Sequence, residues 1–218
     1  MGKVFEFEPF EGRWGKHRTV NVFATRQSAL LFRSRCHTSA GGFFNFMNLQ
    51  STDFDLFGIP GQFSQDRAHI DTRWKELQRE AHPDKFAVQG PAAQRIAMQW
   101  SVRINEAYQR LKDPLKRAAY LCELHGAPVN AENNTAMPTD FLMQQMQWRE
   151  ALGDAENIDD LDKISAEAKL CRDELLTKIE QALDGQNDFQ TAAQDIRSLM
   201  FIERFASEVA SRIDQFEL

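Results

Sequence analysis

Long apolar runs are missing from this chain of 218 residues. The best of them, FFNFM at 43–47, falls far short of the eighteen or so apolar residues that a membrane-spanning helix needs, so no membrane partner is expected. Cysteine is equally sparse: Cys36, Cys122 and Cys171 stand far apart with no CxxC pair, which leaves neither a disulfide framework nor a four-ligand zinc site and fits reduced thiols in a cytoplasm. No Gly-rich phosphate loop is present, so ATP hydrolysis by the chain itself is not expected. Positive charge is scarce in the last third, where residues 127–218 hold eight Lys/Arg against nineteen Asp/Glu. A phosphate backbone rewards clustered Lys and Arg, so nucleic acid is a poor partner for this surface and a basic protein patch a better one.

What the chain does contain is helical periodicity. At 42% hydrophobic and 27% charged residues it has the composition of a folded protein, and its length suits two small domains. Residues 1–46 stand apart. From Gly12 to Phe46 there is no acid, while Arg13, Lys16, Arg18, Arg26, Arg33 and Arg35 recur among small and hydroxylated residues, as in organellar transit peptides. Glu6, Glu8 and Glu11 spoil that match, and no apolar core of a secretory signal follows. Regular periodicity starts only beyond Met47, which favours reading 1–46 as a disordered extension or as sequence upstream of a true start at Met47.

From there DFDLFGIP reads as one or two helical turns stopped by Gly58 and Pro60, with Ser64 or Asp66 capping the helix that follows. Ile70, Trp74, Leu77 and Ala81 form its apolar stripe, and Pro83 ends it near His82. A second helix begins near Pro91 and runs through Ile96, Trp100, Ile104, Tyr108 and Leu111 to KDP at 112–114. The two should lie antiparallel and share a core through Trp74, Leu77, Trp100 and Ile104. A shorter helix closes on Gly126 as a left-handed cap. The fold class is therefore all-α: residues 47–126 form one helical domain, the polar, proline-bounded 127–138 a linker, and 139–218 an acidic three-helix bundle. In the bundle, Ala192, Leu199, Ala206 and Ile213 alternate with Asp195, Ile202, Val209 and Phe216 as a heptad. Leu161, Ile164, Ala168, Cys171, Leu175 and Ala182 supply the facing stripe, and Gly185 lies in the turn between the two helices.

Between the first two long helices lies EAHPDKFAVQG, residues 80–90, an unusually charged and rigid connection. Pro83 fixes a backbone dihedral and holds His82 and Asp84 outward before a partner arrives. The Asp84 carboxylate is then well matched to an arginine of that partner. HPDKF and INEAYQRLKDP resemble the J-domain family, the modules that activate DnaK-type chaperone ATPases. That resemblance implies a chaperone ATPase contact through His82, Pro83, Asp84 and Lys85, with Arg73, Lys75 and Arg79 as the basic face of the preceding helix. A bland alternative has His82 and Asp84 as local caps. A catalytic His-Asp dyad lacks a placed nucleophile, and His17, His37, His69 and His125 show no metal-ligand spacing with His82.

FSQDRAHIDTRWKELQREAHPDKF, INEAYQRLKDPLKRAAYLCELHG and TDFLMQQMQWREAL together resemble the HscB-type co-chaperones of iron–sulfur cluster assembly, over about residues 48–217. The resemblance implies a non-enzymatic adaptor with no cofactor of its own, whose partners are the DnaK-type chaperone HscA and the cluster scaffold IscU. It places the scaffold contact on Leu142, Met143, Met146, Glu150 and Phe201. Gln147 stands where many relatives carry an acid. Eukaryotic relatives carry a paired-cysteine zinc motif ahead of the J-domain, whereas here Cys36 stands alone, which favours a bacterial-type protein.

Independently of any family, the helix at 139–152 has two apolar sides. Phe141, Trp148 and Leu152 fall on one, Leu142, Met143 and Met146 on another roughly 140° away at 100° per residue. A helix in a three-helix bundle needs one buried face, so the second is available for binding, and Met suits an adaptable contact. Phe201 falls on a c position of the last helix, which is normally solvent-facing. The bland alternative for these four residues is packing against the J-domain. A general co-chaperone of DnaK with other clients remains an alternative function, and it would be indifferent to Leu142, Met143 and Phe201.

Overall fold

In the computed structural model, residues 51–131 and 137–216 are described. The expectations for residues 1–46, Cys36 included, lie outside them. Every regular element among the described residues is helical, and none is long and apolar enough to cross a membrane.

The first helix, α1 (Asp53–Phe57), is a single turn closed by a reciprocal cap in which Thr52 and Asp55 satisfy each other's backbone amides, and it ends on left-handed Gly58. It buries Phe54, Leu56 and Phe57. Asp53 is fully buried between Arg103 and Arg110. Its Oδ2 accepts from Arg110 Nη1 at 2.9 Å. Its Oδ1 meets Arg103 as a close ion pair that lacks hydrogen-bond alignment. The Asp53 amide donates to the Tyr120 hydroxyl at 3.0 Å.

Asp66 caps α2 (Arg67–Glu80), which pairs with α3 (Pro91–Lys112) to form the expected hairpin. Ile70, Leu77, Ala81, Trp100, Ile104 and Leu111 are buried. Ile96, by contrast, is 48% exposed; Ala97 takes its place, so the buried stripe runs Ala97, Trp100, Ile104, Ala107 and Leu111. Alternating steps of three and four keep close to one face, whereas the expected series of mostly fours drifts off it. Asp113 then caps α4 (Pro114–Leu124), and Gly126 adopts the left-handed conformation just beyond it.

The bundle comprises α5 (Thr139–Asp154), α6 (Ile158–Glu180) and α7 (Phe189–Phe216). The turn after α6 differs from the expected glycine turn. The helix widens into a π-helical segment, Gln181–Gln186, and the left-handed residue is Asn187, a type that tolerates that conformation better than most. The heptad on α7 is also only partly realised. Ala193, Ile196 and Phe205 join Ala192, Leu199, Ile202 and Val209 in the core, while Phe216 is exposed and Asp195 is half-buried. α7 packs against α4 as well as α6, and two neighbours need a stripe wider than a heptad seam.

The helices before residue 127, called the J half after the resemblance noted above, and the bundle share one continuous core. The segment read as a linker begins inside it, with Ala127 and Val129 buried and the Val129 carbonyl accepting from Arg197 Nη1 at 3.1 Å. His125 stacks on Phe189 with ring centroids 3.9 Å apart, and the Cys122 thiol points to the Phe189 carbonyl at 3.6 Å. Burial pushes that thiol up to about 11, which leaves it an inert packing group.

Candidate functional site

The charged connection is a 3-10 helix, Pro83–Gln89, with Pro83 in its first turn. It is held from below. Phe86 is buried, and the last carbonyl before the turn, that of Ala81, accepts from Ser101 Oγ at 3.0 Å. The hairpin beneath is pinned by Asn105, whose side-chain oxygen accepts from Trp74 Nε1 at 2.9 Å and Gln78 Nε2 at 2.8 Å. Tyr108 stacks on Trp74 at 4.6 Å and donates to Asp71 at 2.9 Å. The INEAY motif thus works as a splint between α2 and α3, while His82 and Asp84 are left to the surface.

His82 and Asp84 do make the local contact considered as the bland alternative: His82 Nδ1 accepts from the Asp84 amide at 3.3 Å. With Nδ1 accepting, the proton of a neutral ring sits on Nε2. The Asp84 carboxylate lies 3.5 Å from the same nitrogen, yet its side chain is 89% exposed. The histidine therefore orders the turn and the carboxylate stays available. A purely local capping role would need the carboxylate engaged by a backbone amide, and none of the described residues offers one.

Of the cations placed beside this turn, Lys75, Arg79 and Lys85 are exposed and form no ion pair with the described residues. Lys75 and Arg79 lie one helical turn apart, leading toward His82. Arg73 departs from the expected basic face. Its guanidinium donates to the Phe57 carbonyl at 3.1 Å and pairs with Glu76, half-buried against α1. A residue two positions before an exposed lysine points about 200° away around the helix, which turns Arg73 toward α1.

On the bundle, Phe141 and Leu152 pack against the core and Trp148 enters it, stacking on Phe205 at 5.3 Å. Leu142, Met143 and Met146 face outward, Met146 with 73% of its surface exposed. Among the described residues, the exposure of these three argues against the bland alternative of packing on the J half. Glu150 is exposed one turn beyond Met146. Phe201 is not the solvent-facing aromatic its heptad position indicates. It is half-buried, edge-on to Phe141 at 5.9 Å and stacked on Phe205 at 6.2 Å, with the Arg149 guanidinium 5.7 Å from its ring. Large aromatics on α5 extend the bundle interface over the flank of α7, and Phe201 forms the border between core and exposed face.

A cleft of about 950 Å³ lies elsewhere, between α3, α4 and residues 128–130. Glu106, Arg110, Tyr120 and Glu123 line it, but no histidine or cysteine does. Sequence reasoning did not find Asp53 or Asp184, whose partners are 57 and about 120 residues away. An acid in a turn carries no local sign of such a partner.

A family model described as the HSCB C-terminal oligomerisation domain matches residues 137–210. The co-chaperone protein HscB homologue of Burkholderia multivorans is 49% identical over 174 residues, 78% of this chain and 99% of that protein. The homologue of Burkholderia vietnamiensis is 50% identical over 177 residues with the same coverage. Among solved structures, the chaperone HscB from Vibrio cholerae superposes with a TM-score of 0.66 at 34% identity, covering 76% of this chain and 99% of that one. The human co-chaperone HscB superposes with a TM-score of 0.69 at 25% identity, covering 95% of each. With a splinted hairpin presenting an open carboxylate and relatives matched along nearly their whole length, this chain belongs to the HscB family of co-chaperones.

Proposed function

We propose that the chain is a J-type co-chaperone of iron–sulfur cluster assembly that stimulates the ATPase of an HscA-type chaperone and delivers an IscU-type scaffold to it. It works in the cytoplasm and turns over no substrate of its own. The observation that carries this reading is the exposure of Asp84 on a turn rigidly backed by α2 and α3. A preordered carboxylate loses little entropy on docking to an arginine. Lys75, Arg79 and Lys85 widen that contact toward an acidic groove, and electrostatic steering speeds the encounter. Leu142, Met143 and Met146 offer the scaffold an apolar surface, bordered by Phe201 and rimmed by Glu150. Carrying both contacts on one chain raises the scaffold's effective concentration at the chaperone.

The test is steady-state ATP hydrolysis by the chaperone with this protein and the scaffold, singly and together. Stimulation should require Asp84 and rise more than additively when both are present. Asp84→Asn should abolish it with helix content unchanged, and undiminished stimulation by that variant would remove the mechanism. Stimulation through Asp84 with no gain from the scaffold would identify a general co-chaperone serving other clients.

A further inference from the structure

The interface between the J half and the bundle is mostly apolar, with the His125–Phe189 stack at its edge, and apolar burial itself is non-directional. Besides the single bonds from Arg197 to the Val129 carbonyl and from Cys122 to the Phe189 carbonyl, one contact in it is made at two points. Asp184, in the π-helical segment, accepts the Phe63 amide on Oδ1 at 2.7 Å and the Ser64 amide on Oδ2 at 2.8 Å. Two oxygens on two consecutive amides form a two-point contact that resists rotation as well as separation.

Both ends of this contact are held. The carbonyl of the peptide whose N–H belongs to Ser64 is that of Phe63, and it accepts from buried Arg117 Nε at 2.8 Å. Asp184 and Arg117 therefore grip opposite sides of one peptide group. Arg117 also donates to the carbonyl of Leu111, near the end of α3, and lies 5.1 Å over the Phe63 ring. A continuous series of polar contacts thus joins the hairpin bearing the 82–85 turn to Asp184. On the bundle side the Asp188 amide donates to the Ala182 carbonyl at 2.9 Å, closing the turn, and Asp188 caps α7 through Thr191. Helix widening, a closed turn and a left-handed Asn187 combine to aim one carboxylate at the other half of the chain.

We propose that Asp184 is a positioning residue, its paired grip on the Phe63 and Ser64 amides fixing the orientation of the J half on the bundle so that chaperone and scaffold are engaged in a set geometry. The functional half of this inference rests on the co-chaperone reading above; the orientational half does not. Asp184 touches neither candidate binding surface.

The full chain carrying Asp184→Ala, and Asp184→Asn as a near-isosteric variant with one acceptor oxygen fewer, should be compared with the wild type by backbone residual dipolar couplings. Couplings from α2 and α3 and those from α6 and α7 should fit one alignment tensor in the wild type and require two in both variants. Stimulation of the chaperone by each variant without scaffold, and scaffold binding without chaperone, should match the wild type. The more-than-additive gain with both present should fall roughly five-fold or more, the lower end of typical coupling between two sites. A lowered melting temperature with one unchanged tensor would mean that Asp184 merely adds stability, and would overturn the proposal. So would split tensors with the joint gain intact. If the wild type shows no joint gain, the co-chaperone reading fails, and the tensors alone still decide whether Asp184 sets the orientation.

Discussion

Replacing Asp53 by alanine should cost far more stability than a substitution in a single-turn helix usually does. The carboxylate is fully buried and neutralises two guanidinium groups, Arg103 and Arg110, that reach it from positions two turns apart on α3. Removing one member of a buried ion pair typically costs about 3–5 kcal/mol, because the partner is left charged without compensation. Here the two arginine side chains keep 20% and 41% exposure and can turn to water, which brings the expected loss to about 2–3 kcal/mol. The Arg110 guanidinium also lies 4.7 Å over the Tyr120 ring and keeps that contact. At about 2–4 °C per kcal/mol for a chain of this size, the melting temperature should fall by roughly 4–12 °C. Thermal unfolding followed by circular dichroism reads this directly, and a double-mutant cycle with Arg110→Ala should show that the two losses are strongly non-additive. A loss below about 0.5 kcal/mol, the range of ordinary surface substitutions, would refute the view that this cluster ties α1 to the hairpin.

Arg73 and Arg79 should separate cleanly. Arg73→Ala should lower stability by about 1 kcal/mol, the worth of a typical hydrogen bond, with chaperone affinity nearly unchanged. Arg79→Ala should weaken chaperone binding, more so at low salt, with the melting temperature unchanged. Met146→Ala should reduce scaffold affinity about tenfold, equivalent to about 1.4 kcal/mol, in isothermal titration while helix content stays constant. Burial, joined by Asp188 and opposed by Lys178, holds the Asp195 carboxyl above its ordinary value. A raised folded pKa means that protonation favours the fold, so this group's contribution is full in acid and is lost as pH rises through the folded pKa. Asp195→Asn should therefore raise the melting temperature at pH 7, and the gain should vanish as pH falls below the usual carboxylate range.

How much of this was legible in the sequence depended on whether a signal was local. The α2/α3 hairpin and the two apolar sides of α5 follow from spacings within one element and are placed as expected, while of the two candidate caps, Ser64 and Asp66, the structure takes Asp66. Ile96 failed because three-residue and four-residue steps are nearly interchangeable over one turn, and only the packed neighbour decides which face wins. Phe201 and Arg73 failed for a related reason. Their exposure depends on how α5 lies over α7 and how α1 lies beside α2, and an amphipathic pattern cannot report that. The widened turn at 181–186 left no trace at all, since Gly185 and Asn187 suit an ordinary connection equally well.

That the 82–85 turn is ordered through the Asp84 amide and not its carboxylate has an evolutionary and cellular cost. Because the fold does not depend on that carboxylate, quality control has no means of recognising a chain that has lost it. On the function proposed above, such a chain would accumulate to normal levels, occupy the scaffold through α5 and withhold it from the chaperone. A heterozygous or plasmid-borne Asp84 variant would then poison the pathway beyond its own share of the protein, whereas an Asp53 variant would be cleared as misfolded and leave the wild-type copies to work.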